Sequence, residues 1–272
     1  MKQVASRANP LFRLLLELAE SSRARREQGL TLLDGANLLE TYARRGGRPR
    51  RLAVSASGAG QADVLAALAR FPGVDTILLP DALFGRVSQV TAEVGVLGVI
   101  PIPAAAPSGN GFAILMEDLQ DPGNVGAILR SAAAAGASDA YLSPGCAEPW
   151  SPKVLRAGMG GHFFLAVHGQ ADLVSVAGNW PGSVIATAAD APQSVFDAQW
   201  RRPVAVVIGN EGAGISPGLL ATAGLRVRVP MPGGMESLNA AAAAAVCLFE
   251  VVRRQQAARR RVPFPGPALG GQ

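Results

Sequence analysis

Short apolar runs and helix-spaced apolar positions alternate along most of this chain. Leu11, Leu14, Leu15 and Leu18 follow helical spacing behind Asn9-Pro10, a side-chain cap with proline at the first helical position. Residues 30–33 then predict a short strand and Ala36–Arg44 a helix. Residues 52–55, Thr76–Leu79 and 96–100 are further apolar runs bounded by turn residues, so 1–103 predict a small α/β domain. The stretch 101–111 has three prolines, two glycines and no apolar period, and it predicts a linker over 104–111. Beyond it Phe112–Met116, 140–142, 163–167, 184–187, Val204–Ile208 and 227–229 are strand-like. Helices are predicted over 124–135 and 237–254. The wholly apolar Val204–Ile208 reads as a central strand buried on both faces, as a parallel sheet requires. The fold class is therefore α/β, with a mostly parallel sheet within 112–258 behind a smaller α/β domain. Residues 259–272 have the composition of a disordered tail.

Composition changes this picture in few places. A chain of 272 residues with 49% hydrophobic and 5% aromatic content has ample, mainly aliphatic core material. The alanine run 240–245 continues through Val-Cys-Leu-Phe and stops at Glu250, short of the roughly 18 apolar residues of a membrane span. Arg13 and Glu17 interrupt the apolar region near the start, so no signal peptide is expected. The net charge of +5, carried almost wholly by arginine, fits either a polyanionic partner or arginines scattered over a solvated surface. Arg7, Arg13, Arg23, Arg25 and Arg26 make the first helical region the densest in positive charge outside the tail. Cys146 and Cys247 share no CxxC spacing, which suits a reducing, cytoplasmic setting. His162 and His168 have no partner pattern for a metal site or a catalytic triad, and no metal is expected.

Three Gly-rich segments at strand ends carry the candidate chemistry. In Asp121-Pro-Gly-Asn-Val-Gly-Ala-Ile-Leu-Arg130, Asp121 caps a helix and Pro122 opens it. Gly126 and Arg130 share a face four residues apart, where glycine admits a close backbone or ligand; an ordinary capped helix is the plainer alternative. The second, Ile208-Gly-Asn-Glu-Gly-Ala-Gly-Ile-Ser216, places Glu211 among Gly209, Gly212 and Gly214. It matches neither nucleotide-binding fingerprint, and it is either a ligand-binding loop or a plain turn. In the third, Val229-Pro-Met-Pro-Gly-Gly-Met-Glu-Ser-Leu-Asn239, Ser237 is the expected cap of the last helix, with Asn239 on its first turn. Loops at the carboxyl ends of strands are where an α/β domain binds ligands.

Together these segments resemble the SpoU-like ribose 2′-O-methyltransferases of the SPOUT superfamily. Asn124-x-Gly-x-x-x-Arg130, Ile208-Gly-Asn-Glu211-Gly-x-Gly and Pro230-Met-x-Gly-x-x-x-Ser237-Leu-Asn239 match that family's three motifs in order and spacing, and Ser151-Pro-Lys-Val-Leu-Arg-Ala-Gly-Met-Gly160 is similar as well. The resemblance covers residues 112–254. Through Arg25-Arg-Glu-x-Gly-Leu and Gly35 the first hundred residues resemble the substrate-binding domain of many members.

The resemblance implies a deep trefoil knot, a homodimer and S-adenosylmethionine as cofactor, held by Ile208, Gly209, Asn210, Gly212, Val229, Met231, Ser237 and Leu238. It implies catalytic positions at Asn124, Arg130, Glu211, Ser237 and Asn239, and phosphate contacts from Arg7, Arg23, Arg25 and Arg26. The reaction it implies is methyl transfer to a ribose 2′-hydroxyl of RNA, ribosomal rather than transfer RNA. A transfer-RNA enzyme, a base methyltransferase and a non-catalytic RNA-binding or ribosome-assembly protein with a vestigial site are the alternatives. The family proposal makes Arg130 the base; since a guanidinium is effectively always protonated, a phosphate clamp is the easier role.

Overall fold

The computed structural model describes residues 1–88, 95–105 and 111–261. Its first sheet contains β1 (Lys2–Gln3), β2 (Leu30–Asp34), β3 (Arg51–Ser55), β4 (Thr76–Leu79) and β5 (Val96–Pro101), in the order β1-β4-β3-β5-β2. β1, β4 and β3 are parallel, and β5 runs antiparallel to both β3 and β2. Helices α1 (Pro10–Glu20), α2 (Ser22–Gln28), α3 (Ala36–Arg44), α4 (Ala62–Ala69) and α5 (Asp81–Val87) accompany it. The Asn9 side chain caps α1 by accepting from Leu11 N, as expected, and Phe12, Leu15 and Leu18 are the buried edge of its apolar face.

The second sheet contains β6 (Phe112–Met116), β7 (Asp139–Leu142), β8 (Ala166–His168), β9 (Ser183–Thr187), β10 (Gln193–Ser194), β11 (Val204–Ile208) and β12 (Leu225–Arg228). It is parallel throughout in the order β10-β12-β9-β11-β6-β7-β8. Its helices are α6 (Pro122–Ala134), α7 (Pro152–Gly158), α8 (Leu173–Gly178), α9 (Pro217–Thr222) and α10 (Ala240–Arg261).

The central pair, β11 and β6, is buried at every position, and alternate residues feed opposite layers. Phe112, Ile114, Val204 and Val206 join one core with Val125, Ile128, Leu248 and Val251, whereas Ala113, Leu115, Ala205 and Val207 join another with Leu173 and Leu219. Period-two burial on both faces accounts for the uninterrupted apolar sequence of these strands.

Several boundaries differ from the sequence expectation. The expected strand over 163–167 begins only at Ala166, because Gly160 at φ +83° leads into a short 3-10 turn, Gly161–Phe164. The last helix starts at Ala240 and continues to Arg261, so Arg259–Arg261 are helical and not part of a tail. Residues 106–110 of the expected linker and 262–272 of the expected tail lie outside the described residues. Among the described residues no helix is long and apolar enough to cross a membrane.

The two sheets are joined through the segment that follows β7. The Thr31 hydroxyl of β2 donates to the Trp150 carbonyl at 2.5 Å, and Arg25 Nε meets Glu148 Oε2 at 2.7 Å. Arg25 also donates to the carbonyls of Leu18 and Ala19 and is 3% exposed. This corrects its assignment as an RNA contact: its charge is spent inside the protein, paired and out of reach of a phosphate. Arg7, Arg23 and Arg26 are exposed, and Arg23 pairs with Glu27 at 2.6 Å one helical turn away.

Candidate active site

The three Gly-rich segments meet at the carboxyl edge of β6, β11, β9 and β12. α6 begins where Asp121 Oδ1 accepts from Asn124 N at 2.7 Å, and Pro122 occupies its first turn. A Cβ on Gly126 would lie 2.6 Å from the Val154 carbonyl and 2.8 Å from Gly158 N. The close approach expected at Gly126 is therefore made by the backbone of α7. Arg130 sits on the exposed side of α6 with no hydrogen-bond or ion-pair partner among the described residues.

The loop after β11 is held from within. Asn210 N and O pair with Gly214 O and N at 2.9 and 3.0 Å. Asn210 Oδ1 accepts from Gly212 N and Ala213 N, both at 2.9 Å, and its Nδ2 donates to the Asp118 carbonyl at 2.8 Å. Gly209 is required by space, since a Cβ there would fall 2.4 Å from the Gly214 carbonyl group. Two acidic residues immediately after β6 support the arrangement. Glu117 accepts from Ser216 N and Oγ at 2.7 and 2.6 Å, and Asp118, at φ +51°, exchanges hydrogen bonds with Ser143. An aspartate in the left-handed region is uncommon, and its fixed carbonyl aims at Asn210.

A chain of amides crosses the mouth of the site. Asn239 Oδ1 accepts from Ala241 N at 2.9 Å and Ala242 N at 3.3 Å, so Asn239 caps α10 in place of the expected Ser237. Asn239 Nδ2 donates to Asn124 Oδ1 at 2.9 Å, and Asn124 Nδ2 donates to Glu211 Oε1 at 2.8 Å. One residue from each motif thus enters a single hydrogen-bonded line.

Beside this line lies a cleft of about 680 Å³. Ile208, Gly209, Asn210, Val229, Met231, Ser237 and Leu238 line it together with Glu211 and Asn239. Gly212 does not, because its N–H is turned inward to Asn210 Oδ1. Thr187, Ala188 and Ala189, at the carboxyl end of β9, also line the cleft. Sequence reasoning missed them because an alanine pair after a strand carries no turn or polar signal. The only usable clue was their position behind a strand end. Ser237 makes no hydrogen bond among the described residues and faces the cleft.

A parallel sheet whose strand-end loops enclose a cleft of this size, mixed in polarity and rimmed by fixed amides, defines an α/β protein that binds a nucleotide-sized ligand beside a polar reaction centre. Residues 111–249 match the SpoU rRNA Methylase family. An uncharacterized tRNA/rRNA methyltransferase of Synechocystis is 31% identical over 94% of this chain and 95% of its own. The 23S rRNA (guanosine(2553)-2′-O)-methyltransferase RlmP of Bacillus subtilis is 27% identical over 92% of this chain and 99% of its own. The crystal structure of the SpoU methyltransferase AviRb from Streptomyces viridochromogenes, in complex with AdoMet, superposes with a TM-score of 0.82 at 27% identity, covering 91% of this chain and 98% of that one. The chain belongs to the SpoU rRNA methylase family.

Proposed function

We propose that the protein transfers the methyl group of S-adenosylmethionine to a ribose 2′-hydroxyl of ribosomal RNA, acting as a knotted homodimer. The observation that carries this reading is the line Glu211–Asn124–Asn239, which brings one residue of each motif to the rim of one cleft. The reaction and the ribosomal substrate are supported by the named activity of RlmP, and the cofactor by the AdoMet complex of AviRb.

The cleft fits the cofactor. At about 680 Å³ it lies within the roughly 300–1,000 Å³ common for small-molecule sites. The backbone of Gly209 and Val229 borders one side, and the side chains of Ile208, Val229, Met231 and Leu238 give apolar walls for a planar ring. When bound, S-adenosylmethionine supplies an electrophilic sulfonium methyl.

The protein has two tasks: placement of the ribose and removal of its hydroxyl proton. Placement is worth up to about 7–11 kcal/mol in favourable cases. Asn124 on α6 and Asn239 at the start of α10 are fixed amides, and Arg130, further along α6, is an exposed cation with no partner among the described residues, suited to a backbone phosphate. Arg7, in the turn before α1, and Arg23 and Arg26 of α2 would add phosphate contacts that position RNA without reading sequence.

The test is incubation with tritiated S-adenosylmethionine and separate pools of unmodified ribosomal and transfer RNA, followed by digestion to nucleosides. Label in a 2′-O-methylnucleoside from ribosomal RNA is the expected result. Label in a methylated base, or no cofactor binding by calorimetry, would overturn it. Arg130→Ala is expected to lower RNA affinity and turnover in step. Turnover lost at undiminished RNA affinity would refute the clamp.

A further inference from the structure

Resting on the ribose-methylation reading, we infer that Glu211 is the group that takes the ribose proton, through the carboxylate oxygen the amide line leaves free. The direction of that line is set at its far end. Asn239 Oδ1 is occupied by the N–H groups of Ala241 and Ala242, so its amide can offer only Nδ2 to Asn124. Asn124 must then accept with Oδ1 and present Nδ2 to Glu211. Glu211 thus receives a donor at Oε1. Oε2 has no partner among the described residues, and Glu211 lines the cleft.

The other acidic groups nearby are unsuited. Asp121 is committed to its helix cap, Glu117 to Ser216, and Asp118 to Ser143. Glu236 lines the cleft but makes no hydrogen bond among the described residues, so nothing fixes its carboxylate. Glu211 is carried instead on a loop braced by the three side-chain hydrogen bonds of Asn210.

In the transfer step the 2′-oxygen forms its bond to the methyl carbon while its O–H bond breaks. The proton passes to Glu211 Oε2, and the electron pair of the broken S–C bond stays on sulfur, leaving a neutral thioether. The hydroxyl becomes strongly acidic only as the new bond forms, so a weak base placed at the oxygen serves where a strong base elsewhere would not. Water then removes the proton from Glu211. Asn124 and Asn239 are positioning residues in this scheme, and Arg130 remains a cation throughout.

Glu211→Gln tests the assignment, because glutamine keeps an Oε1 that accepts from Asn124 and so preserves the line. Turnover is expected to fall by about 10²–10⁴-fold, with cofactor affinity by calorimetry unchanged. The acidic limb of the pH–kcat profile should be missing from the residual rate. Asn124→Ala is expected to lower kcat about tenfold through misplacement while the acidic limb persists. Near-normal turnover in Glu211→Gln would overturn the inference. So would a loss that resides in weakened cofactor binding with the limb intact, which would make Glu211 a partner of the cofactor's ammonium. A wild-type protein that methylates no RNA would instead overturn the reading on which this one rests.

Discussion

Arg25 and Arg130 carry the same cation into opposite surroundings, and the difference separates what holds this protein together from what it acts with. At the junction of the two sheets Arg25 has a carboxylate and two carbonyls around it and almost no solvent. On the exposed side of α6, the helix that carries Asn124, Arg130 has solvent and no partner among the described residues. A buried charge must be fully paired to be tolerated, and once paired it has nothing left to offer a ligand. An exposed cation without a partner adds little to stability, so its chemistry is available to RNA.

The sharpest break of this comparison is Arg25→Ala. It would strand Glu148 in a poorly solvated site, and removing one member of a buried ion pair costs about 3–5 kcal/mol. A drop of that size in unfolding free energy by urea titration is expected, with RNA affinity of the folded protein unchanged. Weakened RNA binding at undiminished stability would return Arg25 to the RNA surface. Arg130→Ala should behave in the reverse sense, with stability within about 0.5 kcal/mol of wild type.

The junction offers a second break through pH. His162 is buried with Nε2 2.8 Å from the Pro149 carbonyl and its ring 5.3 Å from that of Trp150. A Cβ on Gly158 would touch the imidazole at 2.6 Å. Burial pulls its pKa from 6.5 down to about 4, against the opposing pull of the Pro149 carbonyl. The fold therefore keeps His162 neutral while the unfolded chain protonates it, and stability present above pH 6.5 is lost as pH falls through 4. At 1.36 kcal/mol per unit the loss reaches about 3 kcal/mol. His162→Leu should cost about 1 kcal/mol at pH 7 and flatten the slope between pH 4 and 6.5. An unchanged slope would show that carboxylates alone set the acid sensitivity.

The two regions were also unequally legible in the sequence. The cleft is spelled locally: three short segments, each with its glycines and polar residues in fixed order, carry the family resemblance that implies Asn124, Glu211 and Asn239, although these lie 87 and 115 residues from their partners. The junction has no such spelling. Nothing in the helix-spaced, exposed-looking run around Arg25 announces a carboxylate 123 residues away, and nothing around Thr31 announces the Trp150 carbonyl 119 residues away. Strand identity was plain for Val204–Ile208, whose apolar run meets core on both faces. The edge strand β8 was placed early because the phenylalanines of Gly161–Phe164 mimic a strand while the preceding glycine forces a turn. Residue types were visible, but the hydrogen-bond direction among the three side chains was not. That direction follows from which residue caps α10, and the cap proved to be Asn239 and not Ser237.

This last point yields the change with the smallest expected effect on stability and a large one on chemistry. Asn239→Asp retains a side-chain oxygen for Ala241 N and Ala242 N, and a carboxylate suits a helix N-terminus by about 0.3–1 kcal/mol, so unfolding free energy should hold or rise slightly. The aspartate has no N–H for Asn124. Facing an acceptor, Asn124 is expected to rotate its amide, give Nδ2 to residue 239 and turn Oδ1 toward Glu211, which then loses its donor. Methyl transfer should fall while thermal unfolding stays in place, whereas Asn239→Ala should lower methyl transfer and also lose about 1 kcal/mol from the missing cap. If Asn239→Asp turns over as well as wild type, then α10 does not set the orientation of the line, and the cleft mouth would differ from the junction only in its exposure to water.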